Sequence, residues 1–264
     1  MDGAMFLQNA QLSDKQCQNP GGGYPVVSNL AVIIPVFNEE KTLSAVLDAV
    51  LHIDIVGQII VVDDASTDTT PEILESWKNR DNVIVVRHDA NRGKGAAIRT
   101  ALECVREKYI IIQDADLEYD PTDYTSLLQP LLDDRADVVF GSRHLGRKHF
   151  ENIRDRSPLN PFRIAVSALN GFVRLLYHLR ITDEATCYKI FPSDTLRKMD
   201  LACERFEFCP EVTAKLCRMK LRLIEVPIHY APRSVREGKK IRFHDALEAF
   251  YTLWKYRNWQ PKED

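Results

Sequence analysis

The sequence predicts an α/β protein built around a mostly parallel, mixed sheet with helices on its flanks, and three observations predict it. Short apolar runs alternate with stretches of helical periodicity from Leu30 onward, the pattern of strands joined by right-handed crossovers. No window holds about 18 uncharged apolar residues, so no membrane-spanning helix is expected. The unusual polar residues follow the carboxyl ends of the apolar runs, where open parallel sheets bind their ligands.

The elements can be justified in order. Leu30–Val36 (LAVIIPV) is a buried strand, and Leu43, Val46, Leu47, Val50 and Leu51 after it have helical spacing. Gln58–Val62 is the second strand. Thr70 and Pro71 are suited to be the N-cap and first residue of a helix that turns Ile73, Leu74 and Trp77 inward. Val83–Val86 is the third strand, and a helix from about Lys94 carries Ile98, Ala101, Leu102 and Val105. Tyr109–Ile112 and Asp137–Phe140 are the fourth and fifth strands, and the run LRLIEVPIHY at 221–230 contains another. Phe243, Leu247, Phe250, Tyr251 and Trp254 share one face of a helix expected over 243–259. That face suits either docking on the sheet or lying at a membrane surface. Residues 1–29 lack apolar periodicity and read as a flexible leader, which leaves one domain over 30–264.

The net charge of −3 hides an asymmetry. Residues 1–140 hold 11 Lys and Arg against 23 Asp and Glu, whereas residues 141–264 hold 24 against 15. An acidic half that could hold a metal, followed by a basic half that could hold phosphate, is one explanation, and ordinary solvated surface is the other. The acidic first half disfavours nucleic acid as a partner. The six cysteines have no CxxC spacing, so free thiols in a cytoplasmic protein are expected.

Four polar stretches converge on one rim: PVFNEE, DDASTD, HDANRGKG and QDADLE. Asn38 could cap the following helix, and Glu39 could accept hydrogen bonds from a nucleobase that packs on Pro35 and Phe37. Asp63 and Asp64 are adjacent, so in an extended strand they face opposite ways and at most one enters a site. Asp68 is suited to cap a turn with Ser66. No G-x-G-x-x-G occurs, which argues against a dinucleotide fold. Asn91–Gly95 (NRGKG) resembles a phosphate loop but lacks the Walker pattern. Its glycines suit a tight turn that leaves Lys94 free to approach an anion.

In an extended segment Asp114, Asp116 and Glu118 could point the same way, and like charges held together cost stability unless something positive sits between them, so the run is either a solvated turn or a cation site. Carboxylates without nearby His or Cys select a hard divalent ion, Mg²⁺ or Mn²⁺. Asp120–Asp123 reads as a turn into the next helix. The later half supplies cations: Arg143 follows the fifth strand, and the basic loop 232–242 holds Arg233, Arg236, Lys239, Lys240 and Arg242. Such a loop could fold over a diphosphate as a lid.

The stretches VIIPVFNEE, IIVVDDASTDTT, NRGKGAAIRTAL, IIQDADLEYDP, VVFGSR, ITDEATCYKIF and PRSVREGKKI, in this order, resemble the family 2 glycosyltransferases of the GT-A fold. More narrowly, they resemble the polyprenyl-phosphate hexose transferases typified by dolichyl-phosphate mannose synthase. The resemblance implies that Pro35, Phe37 and Glu39 meet the nucleotide base, with Asp64 near base or ribose. Asp114, Ala115 and Asp116 would form the D-x-D element for metal and donor diphosphate, with Glu118 as a further ligand. Arg143 would grip the acceptor phosphate, while Arg233, Lys239 and Lys189 would line the donor pocket. Of these, Asp116, Arg143, Arg233 and Lys239 are the expected catalytic residues, and the roles of Glu207 and Glu211 stay open. Phe37 and Glu118 depart from the tyrosine and glutamine common in relatives, and many relatives continue into membrane helices.

The implied reaction is a metal-dependent, inverting transfer of a hexose from GDP-mannose or UDP-glucose to a polyprenyl phosphate. A hydroxyl acceptor, or binding of a nucleotide-sugar without turnover, are the alternatives. The expected location is cytoplasmic, possibly peripheral at a membrane surface.

Overall fold

A computed structural model describes residues 29–145, 161–233 and 243–262. The leader, most of the 232–242 loop and Lys239 lie outside the described residues. Among the described residues seven strands form one sheet: β1 (Leu30–Val36), β2 (Val56–Asp63), β3 (Val83–Arg87), β4 (Tyr109–Ile112), β5 (Val138–Ser142), β6 (Lys189–Pro192) and β7 (Leu223–Pro227). Their order is β3-β2-β1-β4-β6-β5-β7. The first four pair in parallel, and β5 with β7 also. The sequence expectation missed β6, which runs antiparallel between β4 and β5. It is only four residues long, and nothing local in YKIF declares its direction, because pairing partners set that. Its reversal brings the start of β6, and the residues before it, to the rim where β4 and β5 end.

β1 and β2 are buried along almost their whole length, as their unbroken Val/Ile runs require of strands covered on both faces. Helices α1 (Leu43–Leu51), α2 (Thr70–Glu75), α3 (Lys94–Cys104), α4 (Tyr124–Leu132), α5 (Pro161–Tyr177), α6 (Ser193–Lys198), α7 (Phe208–Arg218) and α8 (Phe243–Lys255) flank the sheet. α1 buries Leu43, Val46, Leu47 and Val50, the expected stripe. The N-cap of α2 is Thr69, one residue before the expected Thr70.

α5, α7 and α8 share a smaller apolar core of Leu169, Val173, Ala214 and Leu253. Phe172 and Phe250 meet edge-on at 5.3 Å, and the Tyr177 hydroxyl donates to the Leu253 carbonyl. The last helix therefore docks on the domain through Ala249, Phe250 and Leu253, while Leu247, Tyr251 and Trp254 face outward. Among the described residues, no helix is long and apolar enough to cross a membrane. Cys187, Cys203, Cys209 and Cys217 are free thiols.

Candidate active site

The loops after β1, β2 and β4 are stitched to one another. Asn38 does not cap α1: its Oδ1 accepts from the Thr67 amide at 2.8 Å, and its own amide donates to Ser66 Oγ at 2.9 Å. The Glu39 amide donates to Thr70 Oγ1 at 3.0 Å, and Thr42 Oγ1 reaches the Ala115 carbonyl at 2.6 Å. Asp68 turns to Thr70 and Glu40 and not to Ser66: it accepts from the Thr70 amide at 3.0 Å just ahead of α2, and from the Glu40 amide at 3.2 Å. Asn38, Ala65 and Leu117 all sit at positive φ (52°, 62° and 59°). Each redirects the chain just past a strand end, at a cost that surrounding bonds must offset. Pro35 and Phe37 lie half-buried at the end of β1, beside the buried Glu39.

Both members of the Asp63–Asp64 pair are buried and turned inward. Asp63 accepts from the Ser66 amide at 2.9 Å and lies 3.2 Å from Arg87 Nε. Asp64 receives His88 Nδ1 at 2.7 Å and the amides of Arg92 and Gly93 at 2.8 and 2.7 Å. Burial alone would raise the Asp64 carboxyl, but those donors hold it below the usual range. His88 continues to Thr100 at 2.9 Å. Asp64 thus braces the 91–95 turn.

That turn is no phosphate cradle, because its amides are already occupied. The Gly95 and Ala96 amides each donate at 2.9 Å, to the carbonyls of Arg205 and Glu204. A Cβ at Gly93 would stand 2.4 Å from the Glu204 carbonyl oxygen, and φ there is +92°. The packing delivers Lys94 to Asp114, with which it forms an ion pair.

Asp114 and Asp116 differ from the Asp63–Asp64 pair. Burial, then the neighbouring charges of Asp114 and Glu118, push the Asp116 carboxyl up to about 7, against the opposing pull of the Glu118 amide and Arg233. This carboxylate group is short of positive charge. The extended alternation expected over 114–118 fails, because β4 stops at Ile112 and Leu117 adopts a left-handed conformation. Glu118 then turns to the segment before the basic loop. Its carboxylate accepts from Tyr230 Oη at 2.6 Å and from the Arg233 amide at 2.9 Å. Among the described residues, no three Asp, Glu, His or Cys side chains are grouped to hold a metal ion. Asp114 and Asp116 fit Mg²⁺ or Mn²⁺ as a hard-oxygen pair, which such ions commonly complete with water and substrate phosphate.

Arg233 bridges the rim. Its guanidinium meets Glu39 at 3.1 and 3.2 Å and Asp116 at 3.1 Å. Among the described residues its buried Nε has no hydrogen-bond partner, which leaves a donor for an anion. Arg143 is gripped at two points by the fully buried Asp183, at 2.7 Å each, with the face of Tyr230 4.9 Å away. Burial opposes ionisation of Asp183, yet the Arg143 charge holds its carboxyl below the usual range. Tyr230 therefore touches both the acidic rim and Arg143. Lys189 begins β6 at the rim, but its side chain turns inward: it is fully buried and its ammonium donates to the carbonyls of Glu184 and Thr186. Glu207 is the N-cap residue of α7, and Glu211 pairs with Lys215 in the interior.

Asp183, Tyr230 and His88 hold roles that spacing does not mark; for Asp183 the available signal is its place in the ITDEATCYKIF stretch.

A family model described as "Glycosyl transferase family 2" matches residues 31–188. The chain is 30% identical over 242 residues to a UDP-N-acetylglucosamine–dolichyl-phosphate N-acetylglucosaminyltransferase of Methanococcus voltae, covering 84% of this chain and 93% of the relative. It is 28% identical over 215 residues to an undecaprenyl-phosphate mannosyltransferase of Micrococcus luteus, covering 78% and 85%. Among solved structures it resembles glucosyl-3-phosphoglycerate synthase from Mycobacterium tuberculosis, solved with Mn²⁺, UDP and glucosyl-3-phosphoglycerate. The TM-score is 0.61 at 18% identity, over 93% of this chain and 88% of that one. The last likeness bears on the fold, which is GT-A.

Proposed function

The chain belongs to glycosyl transferase family 2, and from that premise we propose that it transfers a hexose from a nucleotide-sugar, GDP-mannose or UDP-glucose, to a polyprenyl phosphate with inversion at the anomeric carbon. The observation that carries the reading is the gathering, at the strand ends, of Asp114 and Asp116 with Arg233, which pairs with Asp116, and with Arg143, which lies against Tyr230. Relatives named for dolichyl- and undecaprenyl-phosphate acceptors support it.

In this reading Asp114 and Asp116 would hold Mg²⁺ or Mn²⁺ for the donor diphosphate, and Glu39 with Pro35 and Phe37 receives the base. A bound divalent ion supplies Lewis-acid stabilisation of the leaving nucleoside diphosphate. Arg143, held rigid by Asp183, orients the acceptor phosphate behind the anomeric carbon. That phosphate, with a second pKa of about 6, is already mostly dianionic at neutral pH and needs no strong general base. Arg233 and Lys239 add positive charge where the diphosphate leaves. The outward Leu247, Tyr251 and Trp254, with Arg257 stacked 3.9 Å from the Trp254 ring, suit peripheral contact with the membrane that carries such an acceptor.

The test is a donor screen with Mn²⁺ or Mg²⁺ and a short polyprenyl phosphate, following sugar into the organic phase. Product confined to the aqueous phase favours a hydroxyl acceptor. Donor binding without turnover under any condition makes the protein a nucleotide-sugar-binding module.

A further inference from the structure

We infer that Glu118 is a positioning residue: it clasps the segment Tyr230–Arg233 and so seats Arg233 across Glu39 and Asp116, instead of joining Asp114 and Asp116 as a metal ligand. The inference rests on the reading of Asp114 and Asp116 as the metal-facing pair, and it assigns their acidic neighbour a different task.

Glu118 makes three hydrogen bonds to this one segment. Its backbone carbonyl takes the Ala231 amide at 2.8 Å, one carboxylate oxygen takes the Arg233 amide at 2.9 Å, and the other takes Tyr230 Oη at 2.6 Å. A bridge between Tyr119 and Tyr230 and their ring contact at 5.2 Å extend the attachment. Glu118 is only 9% exposed, so these donors replace water as its partners. Hydrogen bonds to an ionised group contribute roughly 1.5–3 kcal/mol each.

A metal at Glu118 would need to come within about 2.0–2.1 Å of an oxygen for Mg²⁺, on oxygens that already face a hydroxyl and an amide. The left-handed turn at Leu117 is what aims the side chain at the segment. The Arg233 guanidinium lies closer to Glu39 and Asp116, at 3.1 Å each, than to Glu118, whose carboxylate is 4.0 Å from Nε. The division of labour is therefore clear. Glu118 holds the backbone root, and the guanidinium is left to serve as a tethered cation over the acids. Were a divalent ion held by Asp114 and Asp116, the Arg233 guanidinium would stand beside it, with its backbone root clasped by Glu118.

Two readouts on the full-length protein separate clasp from ligand: amide exchange of the peptide around Ala231–Arg233, and Mn²⁺ affinity with UDP or GDP present. In Glu118→Ala, exchange should quicken about tenfold or more, with Mn²⁺ affinity held or increased. In Glu118→Gln, which keeps an oxygen for the Arg233 amide, Mn²⁺ affinity should stay within about threefold. Tyr230→Phe, a mild change that keeps the ring, should speed exchange and leave Mn²⁺ affinity alone. Unchanged exchange in both Glu118→Ala and Tyr230→Phe overturns the clasp. So does a loss of Mn²⁺ affinity in Glu118→Gln as large as that in Asp116→Ala. If Asp116→Ala binds Mn²⁺ as the parent does, the metal assignment fails, and the exchange result alone decides the clasp.

Discussion

Two pairs of acids leave the same edge of the sheet and meet opposite fates. Asp63–Asp64 follows β2, and Asp114 with Asp116 follows β4. The first pair is buried and supplied with internal donors, so that Asp64 stays ionised below its usual range. In the second, Lys94 meets Asp114 and Arg233 meets Asp116, yet burial and the neighbouring carboxylates push Asp116 up to about 7. A carboxylate whose lone pairs the chain itself satisfies is a brace. One left short of positive charge is an invitation to a cation.

The sharpest way to break this contrast is Asp116→Ala. Turnover should fall at least about a hundredfold, as loss of a major electrostatic contribution does, while the urea midpoint holds or rises because a like-charge neighbour is gone. A fall in stability as large as that in Asp64→Asn would erase the distinction. Chelation by EDTA should likewise abolish turnover, and Mn²⁺ or Mg²⁺ should restore it; full activity in EDTA removes the metal from the scheme.

Asp64→Asn tests the other pair. The amide cannot accept from His88, Arg92 and Gly93 together, so unfolding free energy should drop by roughly 1.5–3 kcal/mol, read by urea denaturation. Gly93→Ala belongs to the same brace, and the strain of its positive φ with the contact at Glu204 should cost about 1–3 kcal/mol.

The smallest expected effect is with pH. Asp64 and Asp183 have folded-state pKa values below their unfolded ones, so their contribution is complete above about pH 4 and lost as pH falls through the folded values. Asp64→Asn should flatten that acid limb; an unaltered limb would mean that its hydrogen bonds do not favour the ionised form.

Much of this was legible in the chain. Long Val/Ile runs declare β1 and β2, and helical spacing declares α1, because burial on two faces or on one stripe leaves a periodic trace. The clustering of DDASTD and QDADLE at one rim was legible for the same reason. The fates of individual acids were not. Alternation predicted that Glu118 would stand with Asp114 and Asp116; its charge does bear on Asp116, but past the left-handed Leu117 its carboxylate also takes the Tyr230 hydroxyl and the Arg233 amide. Lys189 reads as a pocket residue beside the motif, but its strand carries it inward to carbonyls 184 and 186. Neither outcome follows from spacing, since both depend on pairings between distant segments.

The reversed strand β6 bears on how the chain reaches this state. Ile111 pairs with Ile190 and Phe140 with Lys189, so β4 and β5, near each other in sequence, are joined through a strand made much later. The β1–β4 half can assemble through successive neighbours, but the sheet stays in two pieces until β6 arrives. Bringing together such distant segments carries a loop-closure cost that grows slowly with length and tends to slow folding. Asp183 and Cys187 come to the rim with that strand, so competence for chemistry should appear in the final kinetic phase of folding and not before it.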